Sequence, residues 1–420
     1  MGEQGYKTLY LCYFGLREPL VQTQVLPYLR EIKKGGARVS ILTFEPNPKA
    51  NWTPDEIARE RAALAAEGIE WHFLTYHKRP SAPATAFDVL CGAVFVWRKI
   101  RREKLDVIHA RIHVPAMMGA LAKKLSFGRK PKLLFDIRGF FPEEYTDAGL
   151  WDADGWLYKS VKKAEKWLFQ ESDGFVVLTE KARGILFPES EASGFDKLKR
   201  PVEVIPCCVN LERFAAAENG ARASMRRELG VEDRYVVTYV GSFGGWYMTE
   251  EMADFFRAAK KRDPASFALI LTQSDPAMIA ELLKRHGLAA RDYFVGRAAP
   301  AEIPRYLAAA DAAVSFIKPC YSKLSSSPTK IAEYLVSGLP VISNRGVGDV
   351  AELIENNRVG AVVEDFSEKS YLAALAEVED LRRAGDLAAH CRRVAVGEFD
   401  LGEVAGRKYR NIYARLLEKR

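Results

Sequence analysis

Two doubly wound α/β domains are the architecture this sequence predicts. Short β-branched and aromatic runs alternate with longer helical patterns, the alternation starts afresh near residue 206, and 420 residues suffice for two domains of about 200 residues each. Apolar strands separated by helices imply parallel sheets covered on both faces. Ligands of such sheets bind outside the carboxyl ends of the strands, so the site is expected in the cleft between the halves.

In the first half, strands are expected at 8–14, 38–44, 69–74, 106–109, 132–137, 174–178 and 202–205. Between them, Gln22 to Lys34 reads as a helix closed by Gly35-Gly36, and Pro54 to Glu67 as one capped by Thr53 and ended by Gly68. The second half repeats the pattern, with strands at 235–241, 267–271, 292–295, 311–316, 340–343 and 360–363. Helices at 248–262, 275–286, 300–309, 328–337 and 348–355 separate them. The domain boundaries read as 1–205 and 206–399, and the basic helix 400–420 is expected to pack back on the first domain.

Composition is that of a soluble chain, 48% hydrophobic and 28% charged. Six cysteines at 12, 91, 207, 208, 320 and 391 show no metal-ligand spacing and two are adjacent, which suits a reducing compartment. No secretory signal precedes the strand-like Thr8 to Phe14, so a cytoplasmic protein is expected. The net charge of +7 is uneven, with 32 Lys and Arg against 26 Asp and Glu in residues 1–205 and 30 against 29 beyond. A dense basic run, Arg98 to Lys104, follows the apolar Val89 to Trp97, which is too short to span a bilayer but fits a helix lying on an anionic membrane surface. A solvated basic helix end reads equally well. Nucleic acid is not expected as a partner, because the basic runs are not interleaved with stacking aromatics.

Residues 325–343, "SSSPTKIAEYLVSGLPVIS", carry the most chemistry. Ser327 suits an N-cap and Pro328 the first helical position, which leaves the N–H groups of Thr329 and Lys330 pointing outward. Such an end favours phosphate, and the Lys330 ammonium would add a full charge. Glu333, three residues on, shares that face and could reach a ligand hydroxyl. The alternative is a capped core helix whose Lys330 and Glu333 face water.

The stretch "SSSPTKIAEYLVSGLPVISNRGVGDVAELIENNRVGAVVED" resembles the nucleotide-binding core of glycosyltransferase family 4, a family of GT-B fold. "VIPCCVNLERF", "YVGSF", "DYFVGRAAPAEIPRYLAAADAAVSF", "REPLVQTQVLPYLREIKKGGARVSILTFE" and "LLFDIRGFFPEEY" extend the resemblance over nearly the whole chain. Three departures stand out. Ser325 occupies the place of the family's first acid, eight residues before Glu333. Gly241-Ser242-Phe243-Gly244-Gly245-Trp246 lacks the usual Arg and Lys. Arg138 stands where a histidine is frequent.

The resemblance implies a GT-B α/β fold and transfer of a sugar from a nucleoside diphosphate, with retention, to a glycan or lipid-linked acceptor. Bacterial surface polysaccharide synthesis, such as that of lipopolysaccharide, is the implied setting, peripheral at the inner face of the membrane. No metal and no cofactor beyond the UDP or GDP sugar is implied. Arg138, Lys330 and Ser325 are the implied catalytic positions. Gly15, Gly241, Ser242, Val295, Arg297, Ser327, Thr329, Lys330 and Glu333 are the donor-binding ones, with Glu333 on the ribose. Arg138 could equally pair internally with Asp136 or Glu143, and Gly15 and Gly241 could be turns needing positive φ. Arg17, Arg111 and His113 are read as acceptor-side residues; no acid or cysteine accompanies His109 and His113 to suggest a metal. A sugar-nucleotide epimerase of the same fold, or a catalytically degenerate binding protein, are the rival readings.

Two further motifs read as decoys. Asp152-Ala153-Asp154 resembles the metal motif of the GT-A fold, but it precedes the helical Trp156 to Glu171, where capping accounts for it. Gly244-Gly245 lacks the spacing of a dinucleotide fingerprint.

Overall fold

The computed structural model describes residues 5–215 and 220–418. The chain divides into two compact units, Met1–Pro206 with Leu401–Arg420, and Cys207–Asp400.

The first unit holds a seven-stranded sheet of β1 (Lys7–Leu11), β2 (Arg38–Pro46), β3 (Ile69–Tyr76), β4 (Val107–Arg111), β5 (Lys132–Asp136), β6 (Gly174–Val177) and β7 (Val202–Val204), in the order β3-β2-β1-β4-β5-β6-β7. Every pairing is parallel. Helices on both faces bury β4 and β6 along their whole lengths, which explains the apolar run of β6, while β4 buries His109 and Arg111 among its apolar residues. Gly119 lets the helix His113–Lys124 lie close on the sheet, since a Cβ there would stand 2.9 Å from Leu133 and 3.0 Å from Ile108.

The helix expected over Gln22 to Lys34 opens as a wide π turn, Val21–Val25, before the regular helix Leu26–Lys33. Thr53 caps Pro54–Ala66 as its sequence predicts, with Glu56 closing a capping box. The basic C-terminal helix, Arg407–Glu418, belongs to this unit. It buries Tyr409, Ile412, Tyr413 and Leu416, the i, i+3, i+4, i+7 stripe of an amphipathic helix.

The second unit holds β8 (Val236–Val240), β9 (Phe267–Leu271), β10 (Tyr293–Gly296), β11 (Ala312–Ser315), β12 (Val341–Asn344) and β13 (Gly360–Val363) in the order β10-β9-β8-β11-β12-β13, again all parallel. Apolar clusters cover both faces of this sheet. Strand order reverses between β8 and β11 here, and between β1 and β4 in the first unit. Those are the points where loops diverge and leave room for a ligand.

Asp152 and Asp154 do not cap the helix Trp156–Glu171. Its N-cap is Gly155, Asp152 Oδ1 accepts the Asp154 N–H at 2.9 Å, and exposed Asp154 pairs with Lys159 at 3.7 Å.

Candidate functional site

In the second unit the reversal point gathers three of the predicted donor residues. β8 ends just before Gly241, and the helix Thr329–Val336, which follows β11, brings in Lys330 and Glu333. Lys330 does not face water. Its side chain is buried, Nζ donates to the Tyr239 hydroxyl at 3.2 Å, and the amine lies 4.3 Å and 4.0 Å from the ring centroids of Tyr239 and Tyr247.

Burial pushes the Lys330 amine down to about 7, with Glu333 opposing. In place of an ammonium at an open helix end, the structure gives a recessed amine whose charged form burial disfavours. Gly241 has φ +151°, and a Cβ there would meet Lys330 Nζ at 2.6 Å and the Tyr239 hydroxyl at 3.0 Å. Glycine is required both by conformation and by the amine beside it.

Glu333 is half-buried and, among the described residues, pairs with no cation, and burial raises its carboxyl while Arg213 and then Lys330 pull it back. Arg213 is thus within electrostatic reach of the expected ribose acid, although no motif in the sequence marks it.

Ser327 is not the N-cap. Pro328 holds that position, and Ser327 Oγ accepts the Cys207 N–H at 3.0 Å. Thr329 is then the first helical residue, so its N–H and that of Lys330 belong to the first turn, which lacks intrahelical acceptors. Ser325 lies buried in the tight turn Tyr321–Ser325 and donates to the Ser322 carbonyl at 2.7 Å. Ser242 is exposed, and its carbonyl accepts the Tyr239 hydroxyl at 2.6 Å. Val295 packs against the core beside β9, and Arg297 is exposed just beyond β10.

The first unit gathers a different set at its own reversal point. Buried Asp136, at the end of β5, lies 3.6 Å from Arg138 and 3.4 Å from His109, and accepts the Tyr409 hydroxyl at 3.1 Å. Arg138 makes the internal pair with Asp136 that was one of the two roles weighed for it. Burial works to raise the Asp136 carboxyl, but Arg138, His109 and Arg111 outweigh it and hold it at about 2. His109 points into this network, since its Nδ1 meets the Tyr413 hydroxyl at 2.9 Å.

Arg111 is buried with its Nη1 unbonded among the described residues. His113 does not share the strand face of His109 and Arg111. It opens the helix His113–Lys124, where its Nε2 meets Glu165 at 2.9 Å. Between Arg111 and His113, Ile112 adopts φ 63°, ψ 178°, a conformation that β-branched residues rarely tolerate and that concentrates at functional loops.

Gly15 is not a positive-φ turn. A side chain there would strike Glu45, whose Oε2 lies 2.9 Å from the Cβ position and accepts the Trp52 indole N–H. Arg17 is held over Trp52 at 3.7 Å and by Glu56 at 2.8 Å. Among the described residues no three His, Cys, Asp or Glu side chains form a group that could hold a metal ion.

Two family models cover most of the chain, Glycosyltransferase Family 4 over residues 21–213 and Glycosyl transferases group 1 over residues 221–395. The chain belongs to the GT4-like glycosyltransferases. A glycosyltransferase from Rickettsia africae superposes with a TM-score of 0.69 at 17% identity, over 99% of this chain and 100% of that one. Anabaena Alr3699/HepE, solved in complex with UDP, gives 0.66 at 16% identity over 97% and 100%. WaaG, involved in lipopolysaccharide biosynthesis, gives 0.62 at 14% over 96% and 99%. At these identities the structures establish the GT-B fold of this GT4-like chain. No curated protein sequence matches it.

Proposed function

We propose that this glycosyltransferase moves a sugar, with retention, from a nucleoside-diphosphate donor to a glycan or lipid-linked acceptor. The reading is carried by one observation, the convergence of Gly241, Lys330 and Glu333 at the reversal point of the second sheet. In the transition state an oxocarbenium-like sugar parts from a diphosphate, so the protein gains most by placing reactants and meeting the leaving charge. The N–H groups of Thr329 and Lys330, the Ser242 N–H beyond Gly241 and the Lys330 amine serve that charge, and no metal is needed for it. Glu333 accepts the two ribose hydroxyls, while Val295 and Arg297 border the base. UDP is the first base form to test, because the Anabaena structure holds UDP.

A lipid-linked acceptor at an anionic membrane agrees with the helix Ser81–Glu103. Its exposed residues Phe87, Leu90, Val94, Arg98 and Arg101 follow helical spacing, apolar first and basic after. Asp88 is buried against Tyr13 and His77, and Glu103 pairs with Lys99, so neither acid opposes the stripe. Bacterial surface polysaccharide synthesis at the cytoplasmic face of the membrane follows as the setting, in line with the WaaG likeness. Among the described residues no helix is long and apolar enough to cross a membrane.

Incubation with UDP- and GDP-sugars tests the reading, following nucleoside diphosphate release and the configuration of the sugar. Release with a retained anomer supports it. Inversion at C2 would identify an epimerase, and binding without turnover a degenerate binding protein.

A further inference from the structure

Lys330 occupies a setting in which a lysine side chain has few alternatives. Its hydrogen bond is to the Tyr239 hydroxyl on β8, its amine rests over the rings of Tyr239 and Tyr247, and the acid near it is Glu333 on its own helix. The Tyr239 O–H proton is committed to the Ser242 carbonyl at 2.6 Å, which leaves the oxygen's lone pairs for Lys330. One phenol therefore ties the amine to the backbone that follows β8. Position 241 closes the arrangement, because any side chain there would displace the amine.

We propose that Tyr239 and Tyr247 are positioning residues of the donor site, holding the Lys330 amine against the Gly241-Ser242 backbone so that a diphosphate meets a nitrogen already in place. This rests on the reading above that the loop takes a diphosphate. A lysine has a flexible four-carbon stem, and fixing it before the ligand arrives removes an entropic cost from binding. The ring faces attract the ammonium form while burial opposes it. An arriving dianion shifts that balance toward the ammonium, so binding draws a proton onto Nζ. The two tyrosines take over the placing that the missing Arg and Lys pair would otherwise share.

The test combines NMR of [13Cε]lysine-labelled full chain with titration by UDP and GDP. The Lys330 signal is assigned by its loss in Lys330→Met. Without ligand, Tyr239→Phe and Tyr247→Leu are each expected to shift that signal and move its titration. Of UDP and GDP, the one that binds wild type should bind Tyr239→Phe roughly tenfold more weakly, the scale of one hydrogen bond to a charged group, and Tyr247→Leu more weakly through loss of the ring under the amine. Its nucleoside should bind unchanged. Wild-type diphosphate affinity is expected to fall as the pH rises above about 7, and less steeply in Tyr239→Phe.

A Lys330 signal that titrates identically in wild type and both variants overturns the proposal. So does unaltered diphosphate affinity in folded variants. If neither UDP nor GDP binds wild type while the signal depends on both tyrosines, the diphosphate reading fails and the tyrosine clamp stands.

Discussion

Tyr409 donates its hydroxyl to Asp136 at 3.1 Å across 273 residues of chain. The bond fastens the C-terminal helix to the end of β5, beside the ion pair of Asp136 with Arg138. Tyr409→Phe keeps the ring and removes one donor from a buried carboxylate, a loss of about 1–3 kcal/mol. Native-state hydrogen exchange should show β4 and β5 amides opening that much more easily, with β8 and β9 unaffected. Equal protection in the variant would mean that the helix is held by its apolar stripe and its other polar bonds, those of Tyr413 with Thr8 and His109 among them.

Asp136 also sets an acid limit for the first unit. Its folded carboxyl stands at about 2, below the ordinary aspartate value of about 3.9, so its stabilisation is complete above about 4 and is lost as the pH falls toward 2. Asp136→Asn should lower stability at neutral pH and flatten the acid limb of the first unit. An acid limb of unchanged steepness, followed by the same amides, would assign the pH dependence to other carboxylates.

Glu333→Ala should weaken nucleoside diphosphate binding by roughly 1.5–3 kcal/mol, the range for a hydrogen bond to a charged group, with the fold intact. Because burial raises this carboxyl, the wild-type advantage should shrink as the pH falls through a range above that of an ordinary glutamate. Calorimetric titration at several pH values checks both points.

How much of this was legible in sequence depended on whether the signal was local. The thirteen strands of the described residues fall on the runs that predict them, because most are buried on both faces and so are largely apolar. The helix beginning at Thr329 was equally readable from Pro328 and the spacing of Ile331, Tyr334 and Leu335. What escaped were partners brought together by topology. Nothing near Lys330 in sequence announces Tyr239, 91 residues earlier, and nothing near Asp136 announces Tyr409. Ser327 was misplaced for a related reason, since its hydroxyl is taken by Cys207, 120 residues away, rather than by its own helix.

Membrane binding should depend on both halves of the stripe on Ser81–Glu103. Neutralising Arg98, Arg101 and Arg102 should cost about 1 kcal/mol for each charge near the surface at low salt. Leu90→Asp, at a position 61% exposed, should weaken vesicle binding with little effect on stability. Cosedimentation with anionic vesicles measures both. If wild type ignores such vesicles at low salt, the stripe covers a protein partner or faces water.

Lys330→Ala separates charge stabilisation from packing. If the amine meets the leaving diphosphate, its contribution grows as that group gains charge, so kcat should fall more than the donor KM rises. The loss expected is roughly ten- to a thousandfold, comparable to removing one preorganised oxyanion donor, because the backbone N–H groups remain. Lys330→Met, which keeps the stem between the tyrosine rings, should lose as much activity as the alanine variant while keeping more stability. Ser325→Glu makes a poor complement, since it forces a carboxylate into a buried turn whose hydroxyl already bonds Ser322, and it should destabilise that turn before it alters sugar preference. Full turnover of a folded Lys330→Ala at saturating donor would return Lys330 to a packing role and leave the diphosphate to the backbone donors of Thr329, Lys330 and Ser242.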